Sequence, residues 1–287
     1  MTKGASSHSL RFKRSIEQII ILLVLSAASL VAIFPFIWMT LSAFKTSEEI
    51  ARVPPTFLPE NIVFSNFYEA IKVAKLDRAF LNSVVVSLAT VVLVLLTSSL
   101  AGFAFAKYDF KGKNIMFTAL MATLILPFFI VVIPQYLLMV WFGWRNTYWA
   151  LIVPSAVSTY GIFLMRQYIL TVPDELLDSA RIDGCSEIGI YWRIILPLSK
   201  PAMSVLALWT FMTSWNSFFW PFIVIDSRDM FTIPLALLAL QSSAIGVRYY
   251  NIAMAGATLA VLPLLVFTIL LHKWLIRGMA GATGLKF

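Results

Sequence analysis

The stretch Pro173-Asp174-Glu175-Leu176-Leu177-Asp178-Ser179-Ala180-Arg181-Ile182-Asp183-Gly184, followed after nine residues by Ile194-Ile195-Leu196-Pro197, is charged and turn-forming and lies between two long apolar runs. Pro173 suits the first turn of a helix, and Asp174 and Glu175 complement the positive end of its dipole. At about 100° per residue, Leu176, Leu177 and Ala180 share one face and Asp174, Glu175 and Asp178 another. Gly184 can close this helix in a left-handed conformation. Ser186 can cap a second short helix through Tyr191, Trp192 and Arg193, which Pro197 ends. The spacing predicts a helix, a sharp turn and a second helix, a rigid knob. By pattern alone the same segment also reads as an amphipathic helix resting on a membrane surface.

The runs on either side set the class. Across 287 residues the chain is 60% hydrophobic and 13% charged, far from a soluble mixture. A spanning helix needs about 20 mostly apolar residues, because a hydrocarbon core roughly 30 Å thick satisfies no backbone polar group. Six segments qualify: 16–44, 80–106, 115–142, 148–170, 202–225 and 252–276. The expected fold is an all-α membrane protein of six transmembrane helices, with a tail over 1–15, a membrane domain over 16–276 and a tail over 277–287. The longest hydrophilic stretches, about 35 residues, are too short for a separate domain.

Arg11, Lys13 and Arg14 precede the first segment and by the positive-inside rule keep the N-terminus cytoplasmic. Six crossings return the C-terminus there. Lys107, Lys111 and Lys113, then His272, Lys273, Arg277 and Lys286, fall on that same side, as does 173–197. The net charge of +8 concentrates at membrane edges where anionic lipid attracts it, so no nucleic-acid partner is needed to explain it. The first segment continues apolar through Val31, Ile33, Phe34, Phe36, Ile37 and Trp38, too long for the core of a signal peptide. Beyond it, Pro54, Pro55 and Pro59 force extended backbone, and Ser65 to Ala70 can open a short helix on the outer face, suited to docking.

Catalytic chemistry has little to work with. Cys185 is the only cysteine, and His8 and His272 are the only histidines, so neither a metal site nor a catalytic triad is expected. The chain has no Gly-x-x-x-x-Gly-Lys-[Ser/Thr] phosphate loop and is read as neither an enzyme nor a holder of its own cofactor. No Asp, Glu, Lys or Arg falls near the middle of a segment, which argues against proton- or sodium-coupled transport and against an ion channel.

The segments instead offer neutral hydrogen-bonding groups beside aromatic rings. Ser214, Trp215, Asn216, Phe218 and Trp220 stand in the fifth, and Gln135 and Tyr160 in the third and fourth. Such a lining suits a polyhydroxylated solute, whose hydroxyls need donors and acceptors while its C–H faces pack on rings. Asn216 leads these candidates, since an amide at depth is costly unless bonded. A facilitator for neutral solutes, or a membrane scaffold that transports nothing, would fit composition alone equally well.

The motifs resemble those of permease subunits of binding-protein-dependent ATP-binding-cassette importers, in particular the maltose-transporter type. In that family a Glu-Ala-Ala triplet is followed, after three residues, by Gly and then by Ile-x-Leu-Pro. Here Asp178-Ser179-Ala180, Gly184 and Ile194-Ile195-Leu196-Pro197 fill those places, and Ser158 to Gln167, Ser214 to Pro221 and Ile276 to Met279 are similar to flanking family sequence. The resemblance implies a type I importer transmembrane domain in a bacterial or archaeal cytoplasmic membrane. It implies a second permease subunit, two cytoplasmic ATPase subunits that carry ATP and Mg, an extracytoplasmic solute-binding protein and a carbohydrate substrate. It further implies that the loop couples to the ATPase through Glu175, Asp178, Ser179, Ala180, Arg181, Asp183, Gly184, Arg193, Leu196 and Pro197. Between the fifth and sixth segments it implies contacts to the binding protein from Arg228, Gln241, Arg248 and Tyr249. Asp178 and Ser179 depart from the family's Glu and Ala.

Overall fold

The computed structural model describes the backbone of residues 4–242 and 250–282 and the side-chain environments of 17–240 and 250–271. Every regular element among them is helical: α1 (Gly4–Ala43), α2 (Ser47–Ile50), α3 (Ser65–Ala74), α4 (Leu76–Lys107), α5 (Lys113–Thr123), α6 (Phe128–Trp141), α7 (Tyr148–Ile152), α8 (Thr159–Ile169), α9 (Asp174–Ile182), α10 (Glu187–Ile190), α11 (Leu196–Leu198), α12 (Lys200–Trp215), α13 (Phe219–Val224), α14 (Ile233–Ser242) and α15 (Tyr250–Ala282). A π-helical turn, Tyr191–Ile195, links α10 to α11.

Three helices are continuous and apolar enough to cross a membrane: Glu17–Ala43 of α1, α4 and Tyr250–Leu271 of α15. Among the described residues three helix pairs bent at a short break also pass as apolar enough when taken together, α5 with α6 at 100°, Tyr148–Ser155 with α8 at 40°, and Glu187–Leu198 with α12 at 76°, giving up to six spans if each pair is one. The segments expected over 115–142 and 202–225 are each broken within their length. Pro127 sits at the first break with extended backbone, φ −61° and ψ 136°, and has no N–H to continue the ladder. α12 stops because Asn216 Nδ2 donates back to Met212 O at 2.8 Å, and the ring of Pro221 would crowd the carbonyl four residues earlier. Hydropathy runs on through both breaks because it reports depth in the bilayer and not straightness.

The chain divides into two compact units, one over 1–70 with 244–259 and one over 71–243 with 260–287. In the first, α1 exposes every side chain from Glu17 to Ile37 and is held at its C-terminal end. Phe57 stands 6.2 Å from Phe34 and 6.0 Å from Trp38, ring centre to ring centre. Asn66 Nδ2 donates to the carbonyls of Ala43 and Lys45 at 2.8 and 2.9 Å, capping orphan acceptors of the helix end. Buried Glu49 accepts from Thr56 Oγ1 at 2.7 Å and Glu60 N at 3.0 Å, while buried Lys45 donates to Thr56 O. These bonds fix the proline-rich stretch, and the short helix expected from Ser65 is α3.

In the second unit α4 is the central helix, packed most extensively against α8 and α12. Ser83, Ser87, Thr90, Val94, Ser98 and Gly102 form one buried stripe along it at helical spacing. Small residues there let backbones approach closely, the usual means of packing helices in lipid. A Cβ on Gly102 would lie 2.7 Å from Cβ of Met165 and 2.9 Å from N of Arg166 in α8.

Candidate functional site

Residues 173–198 fold as the knob that their spacing predicts. Pro173 precedes α9 and Leu177 is fully buried beneath it, whereas Leu176 is exposed and does not share the buried face. Gly184 takes φ +79°, and Cys185 N donates to Ala180 O at 2.9 Å, so two turns close on the left-handed residue. Ser186 Oγ accepts from Gly189 N at 3.2 Å and starts α10. Pro197 does not end this helix as expected. The π turn before it widens the ladder, with Leu196 N reaching Tyr191 O, which relieves the clash a proline ring makes with the carbonyl four residues back. Beneath the knob, Leu177, Ile190 and Ile195 join Val94 and Phe103 of α4, Met165 and Ile169 of α8, and Leu206 of α12 in one apolar core.

The polar side of the knob is a closed network. Arg181 donates from Nε to Glu187 Oε1 at 2.8 Å and from Nη1 to Asp178 Oδ1 at 2.8 Å. Tyr108 Oη donates to the other oxygen of Glu187. Asp178 thus has a partner within the loop, and Glu187 and Tyr108, absent from the sequence-derived set, join α9 to α10. Of the remaining candidates, Ser179 Oγ returns to the Glu175 carbonyl at 2.8 Å, Ala180 is half-buried and packs against the core, and Glu175, Asp183 and Arg193 are exposed. Around them Ile182, Ile188 and Trp192 are 86%, 73% and 54% exposed, an apolar rim that the sequence pattern did not single out.

Hydrogen bonds from Arg181, then from Tyr108, hold the Glu187 carboxyl below the ordinary carboxylate range in spite of partial burial. Burial first, and then the bond to Glu187, push the Tyr108 hydroxyl up to about 12. Because the folded Glu187 titrates below its unfolded value, the stability it contributes is complete above the ordinary carboxylate pKa of about 4.3. That stability disappears as pH falls through the lowered one. Hydrogen exchange across 178–190, corrected for intrinsic rates, is expected to stay slow from pH 9 down to about 5 and to quicken only in stronger acid. Glu187→Gln should quicken it throughout.

The second feature is a cavity of about 530 Å³ between α4, α6, α12 and α13, within the usual size of small-molecule sites. Of the residues expected in the pathway, Gln135, Ser214, Phe218 and Trp220 line this cavity, with Ser155, Ser158, Thr210, Thr213, Ser217 and Phe219. Among the described residues no acidic or basic one lines it. Trp215, Asn216 and Tyr160 do not line it. The Trp215 indole donates to Ala260 O at 3.1 Å and stacks on Phe211, the Asn216 amide is spent on Met212 O, and Tyr160 lies against Trp209 at 5.7 Å.

Two lining residues the sequence reading missed are Thr90 and Thr232. Both are nearly fully buried, at 2% and 4% exposure, and neither hydroxyl has a hydrogen-bond partner among the described residues. The signal for Thr90 was present as the small polar stripe of α4, whereas nothing local marks Thr232.

On the segment after α13, Arg228 is exposed, and Asp229 pairs with Lys75 at 2.8 Å while its carbonyl accepts from Asn82 Nδ2 at 2.8 Å. Arg248 and Tyr249 lie outside the described residues, as does the side chain of Gln241.

Residues 95–281 match the family model for the inner membrane component of binding-protein-dependent transport systems. The chain belongs to this family. The permease is 38% identical over 252 residues to the arabinooligosaccharides transport system permease protein AraQ of Halalkalibacterium halodurans, covering 87% of this chain and 90% of that one. It is 34% identical over 270 residues to the lactose transport system permease protein LacG of Rhizobium radiobacter, covering 94% and 97%. Its fold is that of a chain in the crystal structure of a bacterial ABC transporter involved in import of the acidic polysaccharide alginate, at TM-score 0.79, 19% identity and 91% and 97% coverage. The permease is thus an all-α, multi-pass membrane subunit of a binding-protein-dependent importer and not an enzyme.

Proposed function

We propose that this permease passes an uncharged oligosaccharide or polyol, delivered by an extracytoplasmic binding protein, through the cavity between α4, α6, α12 and α13. Both termini and the knob at 173–198 face the cytoplasm, where two ATPase subunits carry ATP and Mg, and a second permease completes the pathway. The exposed rim of Ile182, Ile188 and Trp192 supports docking of an ATPase subunit, since an apolar cluster on a polar loop marks a contact surface. The arabinooligosaccharide and lactose systems of the two relatives support the substrate class.

One observation carries the reading of the cavity: the buried, unpartnered hydroxyls of Thr90 and Thr232 in a wall without charge. An unmet buried hydroxyl costs about 1–3 kcal/mol, and replacing it with a methyl of the same shape is neutral or stabilising. Thr90→Val and Thr232→Val should therefore leave thermal stability unchanged or raised. If sugar hydroxyls complete those bonds, KM for uptake of lactose or an arabino-oligosaccharide should rise roughly tenfold per variant. Unchanged uptake of both probes in both variants would remove the cavity from the pathway.

A further inference from the structure

Three residues, two on α4 and one that caps it, make four directional contacts with the knob and its entrance. The Ser99 and Tyr191 hydroxyls meet at 2.7 Å, both buried. Lys107 Nζ donates to Val172 O and to Asp174 Oδ1, each at 2.6 Å, at the entrance to α9. Tyr108, the next residue, donates to Glu187 at the entrance to α10. The Lys107 side chain is only 5% exposed although Asp174 is open to solvent, so its ammonium depends on these two acceptors. Tyr168 Oη also donates to Leu198 O at 3.2 Å, and beneath the knob Leu177, Ile190 and Ile195 pack in the apolar core.

Apolar packing gives way gradually over small shifts, whereas a hydrogen bond loses its strength with small changes of angle and distance. The helix that follows the knob in sequence, α12, meets Glu187–Leu198 at 76°, a joint at which a push can be taken up by bending. α4 has no break from Leu76 to Lys107. Its middle, at Val86, Thr90 and Val94, forms a wall of the cavity, and Thr90 lies about 26 Å along the axis from Lys107 by helical rise.

We propose that α4 carries displacement of the knob to the cavity and that Lys107 and Tyr108 are the positioning residues that lock the knob to it. The proposal rests on the reading of 173–197 as the coupling loop. Close packing at Gly102 then makes α4, α8 and the knob a single moving body.

The test uses the full complex with partner permease, ATPase and binding protein in proteoliposomes, and reads probe sugar moved per ATP hydrolysed, with lactose and an arabino-oligosaccharide as probes. Lys107→Met and Tyr108→Phe should assemble normally and keep hydrolysing ATP, while sugar moved per ATP falls about fivefold for each. Tyr108→Phe added to Glu187→Gln should do no more than Glu187→Gln alone, because Glu187 is the one partner of the Tyr108 hydroxyl that the knob supplies. Should Lys107→Met fail to assemble, Tyr108→Phe decides, since it removes one oxygen only.

A second readout needs no sugar. Spin labels on Leu100→Cys and Ile188→Cys, in a Cys185→Ser background, should keep one separation with and without nucleotide, and should lose it in the Lys107→Met, Tyr108→Phe pair. Unchanged sugar per ATP in both single variants, or a wild-type label distance that changes with nucleotide, would overturn the proposal. Gly184→Pro in the same assay separates the two levels. If it uncouples while the α4 variants do not, only the role of α4 falls; if it too is without effect, the coupling-loop reading has failed.

Discussion

Gly184→Pro abolishes the stimulation of ATP hydrolysis by loaded binding protein, by more than about tenfold, while the subunits still co-purify; this is the largest effect expected of a single change outside the cavity. At Gly184 the backbone has φ +79°, and proline holds φ near −65°. The substitution also removes the N–H that donates to Arg181 O at 3.0 Å. The turn must reopen, which parts Arg181 from Glu187 and turns Ile188 and Trp192 away from a docked partner. Alanine at the same place faces only the cost of a left-handed residue, about 1–2 kcal/mol, and asparagine less, since it tolerates that region. A graded series, Asn above Ala above Pro, measured as stimulated hydrolysis against complex recovered, would tie coupling to this one angle. Equal activity across the series would detach it. Asp178 enters through the same network: because it pairs with Arg181 at 2.8 Å, Asp178→Lys would set two cations together inside the knob and disturb more than a contact with an ATPase subunit.

Ser214→Trp should give the opposite behaviour. Ser214 lines the cavity with a small side chain, and an indole there occupies space that a sugar ring would take. Uptake of both probe sugars should fall more than about tenfold, an exclusion of roughly 1.4 kcal/mol or greater, while stimulated ATP hydrolysis continues, since the knob lies outside the cavity. Asn216→Ala, two residues further on, should leave uptake within about twofold, because that amide is already satisfied by Met212 O and releasing an exposed helix-end carbonyl costs little. Uptake that survives Ser214→Trp and is lost with Asn216→Ala would invert the assignment and place the pathway on the other side of α12.

The knob was legible in the sequence because its shape is decided locally: a left-handed residue at Gly184, a cap at Ser186 and acids behind Pro173 each act within a few residues. The spans were legible as depth, since apolar runs of sufficient length have few alternatives in lipid. What was not legible depends on partners distant in sequence. Lys107 counted as one positive charge on the cytoplasmic edge, and only the return of the chain at Val172 and Asp174 gives it two acceptors. Trp215 and Trp220 look alike in sequence, yet one indole lies against Phe211 and the other walls the cavity. Asn216 drew attention as a buried amide, and the break in the helix at that residue is what makes it inexpensive. Thr232 gained its place when α14 folded against α4, with Ile233 N donating to Ser83 Oγ at 2.8 Å.

The first helix has a consequence of another kind. From Glu17 to Ile37 every side chain of α1 is exposed, and among the described residues Phe34 meets the ring of Phe57, so over those residues neighbours within the subunit contribute little to holding it helical. The bilayer does most of that, by offering no other partner to the backbone. Cooperative melting requires contacts that are lost together, and this stretch shares few. The subunit therefore has two stabilities: one set by the packing of α4, α8 and α12, the other by the thickness and fluidity of the surrounding lipid.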